Sequence, residues 1–180
     1  LYRIFYYDCP PLKKTVYHPA LKRGVDFGRS DTYNWTISFF EELKKKRKLA
    51  LRMGVLSDAN AHFSLKADKI KALCQSEITI DDLTESDFSI SFSQKGVDMR
   101  IGLDIASLAY KKQVNQIILI AGDSDFVPAA KLARREGIDF ILDPMEATIR
   151  SDLFEHIDGL KTCWKKEKHE KKWMASAEKL

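Results

Sequence analysis

The pattern of apolar and polar positions is clearest in the second half of the chain. Ile117 to Ala121 is an unbroken apolar run, too short for a typical helix, and three of its members are Ile. Such a run predicts a strand buried on both faces. Gly122 stops it, and a helix is expected at once, with Pro128 in its first turn and Ser124 or Asp125 as its cap. Gly137 ends that helix, and Ile138 to Leu142 is the next strand. A strand–helix–strand unit of this length implies parallel strands joined by a right-handed crossover.

Upstream the pattern is less regular. Tyr2 to Tyr7 predicts a strand ended by Asp8-Cys9-Pro10-Pro11, because proline cannot continue a central strand. Lys13 to Ser30 has mixed polarity and reads as a loop with room for a short helix. A helix is predicted from Ser30-Asp31-Thr32 to the basic run Lys44 to Lys48, with Trp35, Phe39 and Leu43 four apart on one apolar face. The basic run complements the helix's negative end, the plainer alternative to a nucleic-acid contact. Leu49 to Leu56 predicts a second strand with Gly54 inside it, and Asp58 to Ser64 is turn-like. Lys66 to Cys74 reads as a short helix or loop, and Gln75 to Ser86 has no firm period. Phe88 to Phe92 alternates apolar and polar, as a short or edge strand does. A helix follows to about Lys112, with Ile101, Ile105 and Leu108 on one stripe. Leu153, Phe154 and Ile157 are expected to pack a last short element within 149–157.

Composition narrows the class. The chain has 180 residues, 44% hydrophobic and 31% charged, as one soluble globular domain would have. No apolar run approaches a membrane span and no signal-peptide pattern is present. Cys9, Cys74 and Cys163 are scattered and odd in number, which argues against a disulfide framework or zinc spacing and for a reducing cytoplasm. The four histidines form no ligand pattern. The net charge of +4 resides in the last twenty residues: Lys161 to Leu180 holds seven Lys and three Glu, so 1–160 is neutral in sum. A basic tail of this kind can contact phosphate backbones.

The candidate chemistry lies at the carboxyl end of the buried strand, where ligands bind in parallel sheets. Asp123 and Asp125 follow that strand one residue apart. Held close, two carboxylates repel, and a divalent cation removes that repulsion. Hard oxygen ligands suit Mg²⁺ or Mn²⁺. The competing reading is that both merely cap the helix, yet a cap needs one of them. Asp98, in the first turn of the preceding helix, is a further ligand candidate. Asp104 lies six residues on, about a third of a turn away and about 9 Å along the axis, so the two cannot point identically at one ion. Lys95 stands before Gly96, where it can meet a phosphate. In the tail, Lys165, Lys166, Lys168, Lys171 and Lys172 are candidate RNA contacts. Trp164 and Trp173 offer an alternative use, anchoring the tail on a protein partner such as a second copy, which would make the chain a homo-oligomer.

These residues resemble a known family. Lys95-Gly96-Val97-Asp98, Asp104, a buried strand, then Gly122-Asp123-Ser124-Asp125-Phe126 with Pro128 and Arg135-Glu136-Gly137 closely resemble the NYN domain, in the LabA-like branch of the PIN-like nuclease superfamily. Tyr6-Tyr7-Asp8 before Pro10-Pro11 is similar to that family's second strand. The resemblance covers most of 1–160, leaving 161–180 as a Lys-rich extension. It implies an α/β fold: a PIN-like three-layer sandwich with a mainly parallel central sheet and helices on both faces. It also implies an acidic cluster holding Mg²⁺ or Mn²⁺ to hydrolyse RNA, expected to be single-stranded. Asp98, Asp123 and Asp125 match its metal and catalytic positions, and Asp104 matches a recurrent acid. The family's first strand, with an Asp and an Asn three residues later, is expected upstream of Leu1, and without it the acidic set is incomplete. Two readings follow: a metal-dependent ribonuclease, or an RNA-binding regulatory protein with the nuclease fold and little activity. Phosphoryl transfer of the haloacid-dehalogenase type fits less well, because Gly122 separates the strand from the first Asp.

Overall fold

The computed structural model describes residues 1–121 and 123–162. They are α/β, in two compact units, Leu1–Val97 and the residues from Asp98 onward.

In the first unit, β1 (Ile4–Asp8) and β4 (Leu49–Met53) pair in parallel, Ile4 opposite Leu49 and Asp8 opposite Met53. Between them, β2 (Thr15–His18) and β3 (Arg23–Asp26) form an antiparallel hairpin. That hairpin corrects the expected loop over 13–30. Its signal was a single alternation, Val16 and His18 buried and Thr15 and Tyr17 exposed, too short to stand out. Its turn places Lys22 at φ 51°. The helix α1 (Asp31–Lys44) starts as expected, with the Ser30 hydroxyl accepting from the Tyr33 N–H at 3.1 Å. Its inward residue is Phe40, whose ring lies 6.4 Å from that of Tyr6. Trp35 departs from the expected apolar face: it is 65% exposed and stacks on Phe39.

Gly54 corrects the expected strand over 49–56. A Cβ there would lie 2.7 Å from Val97 Cγ2 and 2.8 Å from Cys9 Sγ and the Lys95 carbonyl. The chain breaks at that glycine, and β5 (Val55–Leu65) begins afterwards. The turn expected over 58–64 instead lies within β5, which pairs antiparallel with β6 (Phe88–Lys95) and carries an irregularity between Ser57 and His62. Between β5 and β6 come α2 (Ala67–Cys74) and two single 3-10 turns, Ile80–Asp82 and Glu85–Asp87. His18 is buried against the rings of Phe63 and Phe88, with Nδ1 accepting from the Leu21 N–H.

The second unit is built on a parallel three-stranded sheet in the order β7 (Gln116–Ile120), β8 (Asp139–Asp143), β9 (Gly159–Leu160). It is preceded by α3 (Val97–Tyr110), whose Ile101, Ile105 and Ala109 are buried. Between β7 and β8 run a 3-10 turn, Ser124–Phe126, and α4 (Val127–Arg135); α5 (Ser151–Phe154) precedes β9. The expected strand–helix–strand unit is thus present and parallel, with Gln116 opposite Asp139 and Ile120 opposite Asp143. Gly137, at φ +79°, adopts the left-handed conformation that ends α4.

Phe140 and Leu142, two apart on β8, are fully buried with Leu153 of α5 and with Ala130 and Ala133 of α4. Removing a side chain of that size from water contributes about 1.5–3 kcal/mol. The small alanines let α4 approach β8 closely. Strand β7 is not buried on both faces as expected: Leu119 is buried, but Ile118 and Ile120 are 54% and 61% exposed. Phe154 likewise turns out to solvent, leaving Leu153 as the anchor of α5. Among the described residues the pairing is parallel in β1–β4 and β7–β8–β9 and antiparallel in β2–β3 and β5–β6, in four small sheets rather than the one mainly parallel central sheet expected. Among the described residues no helix is long and apolar enough to cross a membrane.

Candidate functional site

The site is assembled at the carboxyl end of β7 and β8. The register that sets Ile120 opposite Asp143 brings the 121–126 segment to the same sheet end as the turn after Asp143. Asp123 and Asp125 are both exposed there. The Asp123 carboxylate accepts from the Asp125 N–H at 3.1 Å, so Asp123 organises the turn leading into α4. This corrects the expected cap. Phe126 precedes the helix proper with no side-chain cap bond, and Pro128 lies in the first turn as expected. The Ser124 side chain and Gly122 fall outside the described residues. Phe126, buried beside two exposed acids, pins the turn to the core.

Asp143 is the residue that sequence reasoning missed. It reads as an ordinary turn aspartate before Pro144, yet it is 5% exposed and closes a central strand. Its Oδ1 accepts from the Met145 N–H at 3.0 Å. An acid ending an otherwise apolar strand was the available signal. Asp98 is exposed in the first turn of α3, and Asp104 is half-buried further along that helix. The structure joins the Asp123 carboxylate to the Asp125 backbone N–H. Among the described residues it places no three His, Cys, Asp or Glu side chains close enough to hold one ion.

That pattern bears on how these residues could hold a cation. Mg²⁺ keeps several waters and is commonly bound by one or two carboxylates plus substrate phosphates. An exposed Asp123–Asp125 pair fits that sparse mode, whereas an all-protein cage does not. Lys95 is exposed at the end of β6 in the first unit. Lys165, Lys166, Lys168, Lys171 and Lys172, with Trp164 and Trp173, lie outside the described residues.

A sequence model of the NYN domain matches residues 31–155. The chain belongs to the NYN domain family. The match spans both α1 and the whole β7–α4–β8 unit, so the paired aspartates lie inside it. Membership places the chain among PIN-like nuclease domains. No curated protein matches the chain, and no solved structure does.

Proposed function

We propose that this NYN domain is a Mg²⁺- or Mn²⁺-dependent ribonuclease of the LabA-like branch that hydrolyses phosphodiesters of single-stranded RNA in the cytoplasm. The observation that carries the reading is the parallel β7–α4–β8 unit of a NYN domain, with Asp123 and Asp125 exposed at its carboxyl end. Asp123 and Asp125 would hold the cation, with Asp98 and Asp104 as further ligands. Bound there, the cation would supply an activated water and stabilise charge on the phosphate. The protein's own part is to orient the strand and hold the carboxylates where a proton can be accepted. Lys95 and the tail lysines 165, 166, 168, 171 and 172 contact flanking phosphates. In this reading the two units belong to one three-layer PIN-like domain over 1–160, with 161–180 as its basic extension.

Full-length protein should cleave single-stranded RNA with Mn²⁺ or Mg²⁺ and stop on addition of EDTA. Absence of cleavage under every metal and RNA tested, with RNA still bound, would favour the second reading. That reading is an RNA-binding regulatory domain with little activity, and the lack of a three-carboxylate cluster among the described residues is the observation in its favour.

A further inference from the structure

The amino end of the same strand–helix–strand unit carries an open cleft of about 780 Å³, lined by Lys131, Arg134, Arg135, His156, Asp139 and Asp158. Its charges divide into two groups. Both carboxylates already have partners within the fold. Asp158 accepts from Arg134 Nε at 2.8 Å and from the Phe140 N–H at 2.9 Å, tying α4, β8 and the segment before β9 together. Asp139 accepts from Gln116 Nε2 at 2.5 Å across the β7–β8 register. Arg134 is therefore structural. Lys131 and Arg135 are different: both are exposed, and neither has a carboxylate partner among the described residues. Spaced i and i+4, they project from one side of α4. Arg135 in the last turn complements the helix dipole, but Lys131 stands a full turn earlier, where that effect has faded. His156 reaches the same cleft from the segment after α5.

We propose that this cleft is a phosphate-binding subsite for the RNA strand whose scissile bond lies at Asp123 and Asp125. Lys131 and Arg135 supply the charge and His156 a hydrogen-bond donor. The inference rests on the reading of RNA as the substrate. Both ends of the strand are on one unit: β8 opens at Asp139 in the cleft and closes at Asp143, at the sheet end where β7 leads into the 123–125 turn. Four steps along a strand span about 13 Å, and α4 runs alongside. The cleft thus grips the strand a few nucleotides from the acids and holds it in register.

The test is RNA affinity of the full chain, measured by fluorescence anisotropy in Ca²⁺ without turnover, with oligonucleotides of three and of ten nucleotides. Lys131→Gln/Arg135→Gln should weaken binding of the ten-mer on the order of 10-fold. It should also flatten the slope of log K against log salt by about 1.4, the value for two single-strand phosphate contacts. The trimer, too short to reach from the acids to the cleft, should bind the variant and the parent alike. A control pair outside the cleft, Lys71→Gln/Lys111→Gln, should leave the ten-mer's affinity within about 2-fold. Unchanged ten-mer affinity and slope in the cleft variant, while the parent binds RNA, would overturn the subsite alone. Equal weakening by the control pair would overturn it too, leaving only diffuse charge. Failure of the parent to bind either RNA would instead remove the RNA reading, and the subsite with it.

Discussion

Three acidic turns of this chain look alike in sequence and differ in what their carboxylates do. Thr79–Asp82 and Thr84–Asp87 in the first unit, and Asp123–Asp125 in the second, all place aspartates in or beside single 3-10 turns. In the first pair of turns the fold uses the acids. Asp82 accepts from the Thr79 N–H at 2.8 Å and its hydroxyl at 2.7 Å. Asp87 does the same with Thr84, at 2.8 Å each, and pairs with Lys69 at 3.2 Å. In the 123–125 turn a single backbone N–H is accepted, and both acids remain exposed. Acids that bond both a backbone N–H and a threonine hydroxyl and acids that accept only a backbone N–H share a composition. What separates them is a threonine three residues upstream.

The largest effect expected from this contrast is on activity. Asp123→Asn should lower RNA cleavage at least 100-fold, since loss of groups merely supporting a metal ligand already costs about 10–100-fold. RNA binding should persist or tighten, because one repulsive charge has gone, and the melting temperature without metal should hardly move. With Mn²⁺ present, the parent should melt higher than this variant, because a ligand that binds only the folded state stabilises it. Equal Mn²⁺ shifts in parent and variant would break the contrast at its functional side.

The structural side should respond in the opposite sense. Thr84→Ala should cost about 1 kcal/mol of stability by urea titration, as losing a cap does, with no change in cleavage. Acid should reveal the same bonds. Hydrogen bonds from Thr79 hold Asp82 below the ordinary carboxylate range, and those from Thr84, followed by Lys69, hold Asp87 below it. A carboxylate with a lowered folded pKa stabilises fully above its unfolded value of about 3.9, and that contribution is lost as pH falls through the lowered value. An Asp82→Asn/Asp87→Asn variant should therefore be less stable than the parent at pH 6, and the gap should close towards pH 2. A gap that widened in acid would contradict the assignment. The smallest effect is expected from Asp81→Asn, an exposed acid in the first turn: within about 0.5 kcal/mol, as for a surface substitution without partners.

The sequence by itself determined the β7–α4–β8 unit and the acids at its end. A short run of Ile and Leu, a glycine, a proline in the first helical turn and Gly137 after the last are local signals, each with one physical solution. They placed both strands to within a residue and required them to be parallel. The start of α1 was legible for the same reason, because Ser30 caps it through its own hydroxyl. Tertiary structure alone decided the rest. Gly54 has to be glycine because Val97, Cys9 and the Lys95 carbonyl leave no room for a Cβ, and those neighbours are distant in sequence. The β5–β6 pairing stops at Ser57 and resumes at His62, so the stretch that reads as a turn is an irregularity inside β5, held by the pairing on either side of it. Asp143 became a buried carboxylate at the end of β8, the strand held between β7 and β9. At the other end, Asp158 is ion-paired with Arg134 and Asp139 is hydrogen-bonded to Gln116, so neither carboxylate pairs with Lys131 or Arg135. Spacing along a chain reports which residues share a helix face or a strand end. Which charges are already neutralised depends on partners that only folding brings together.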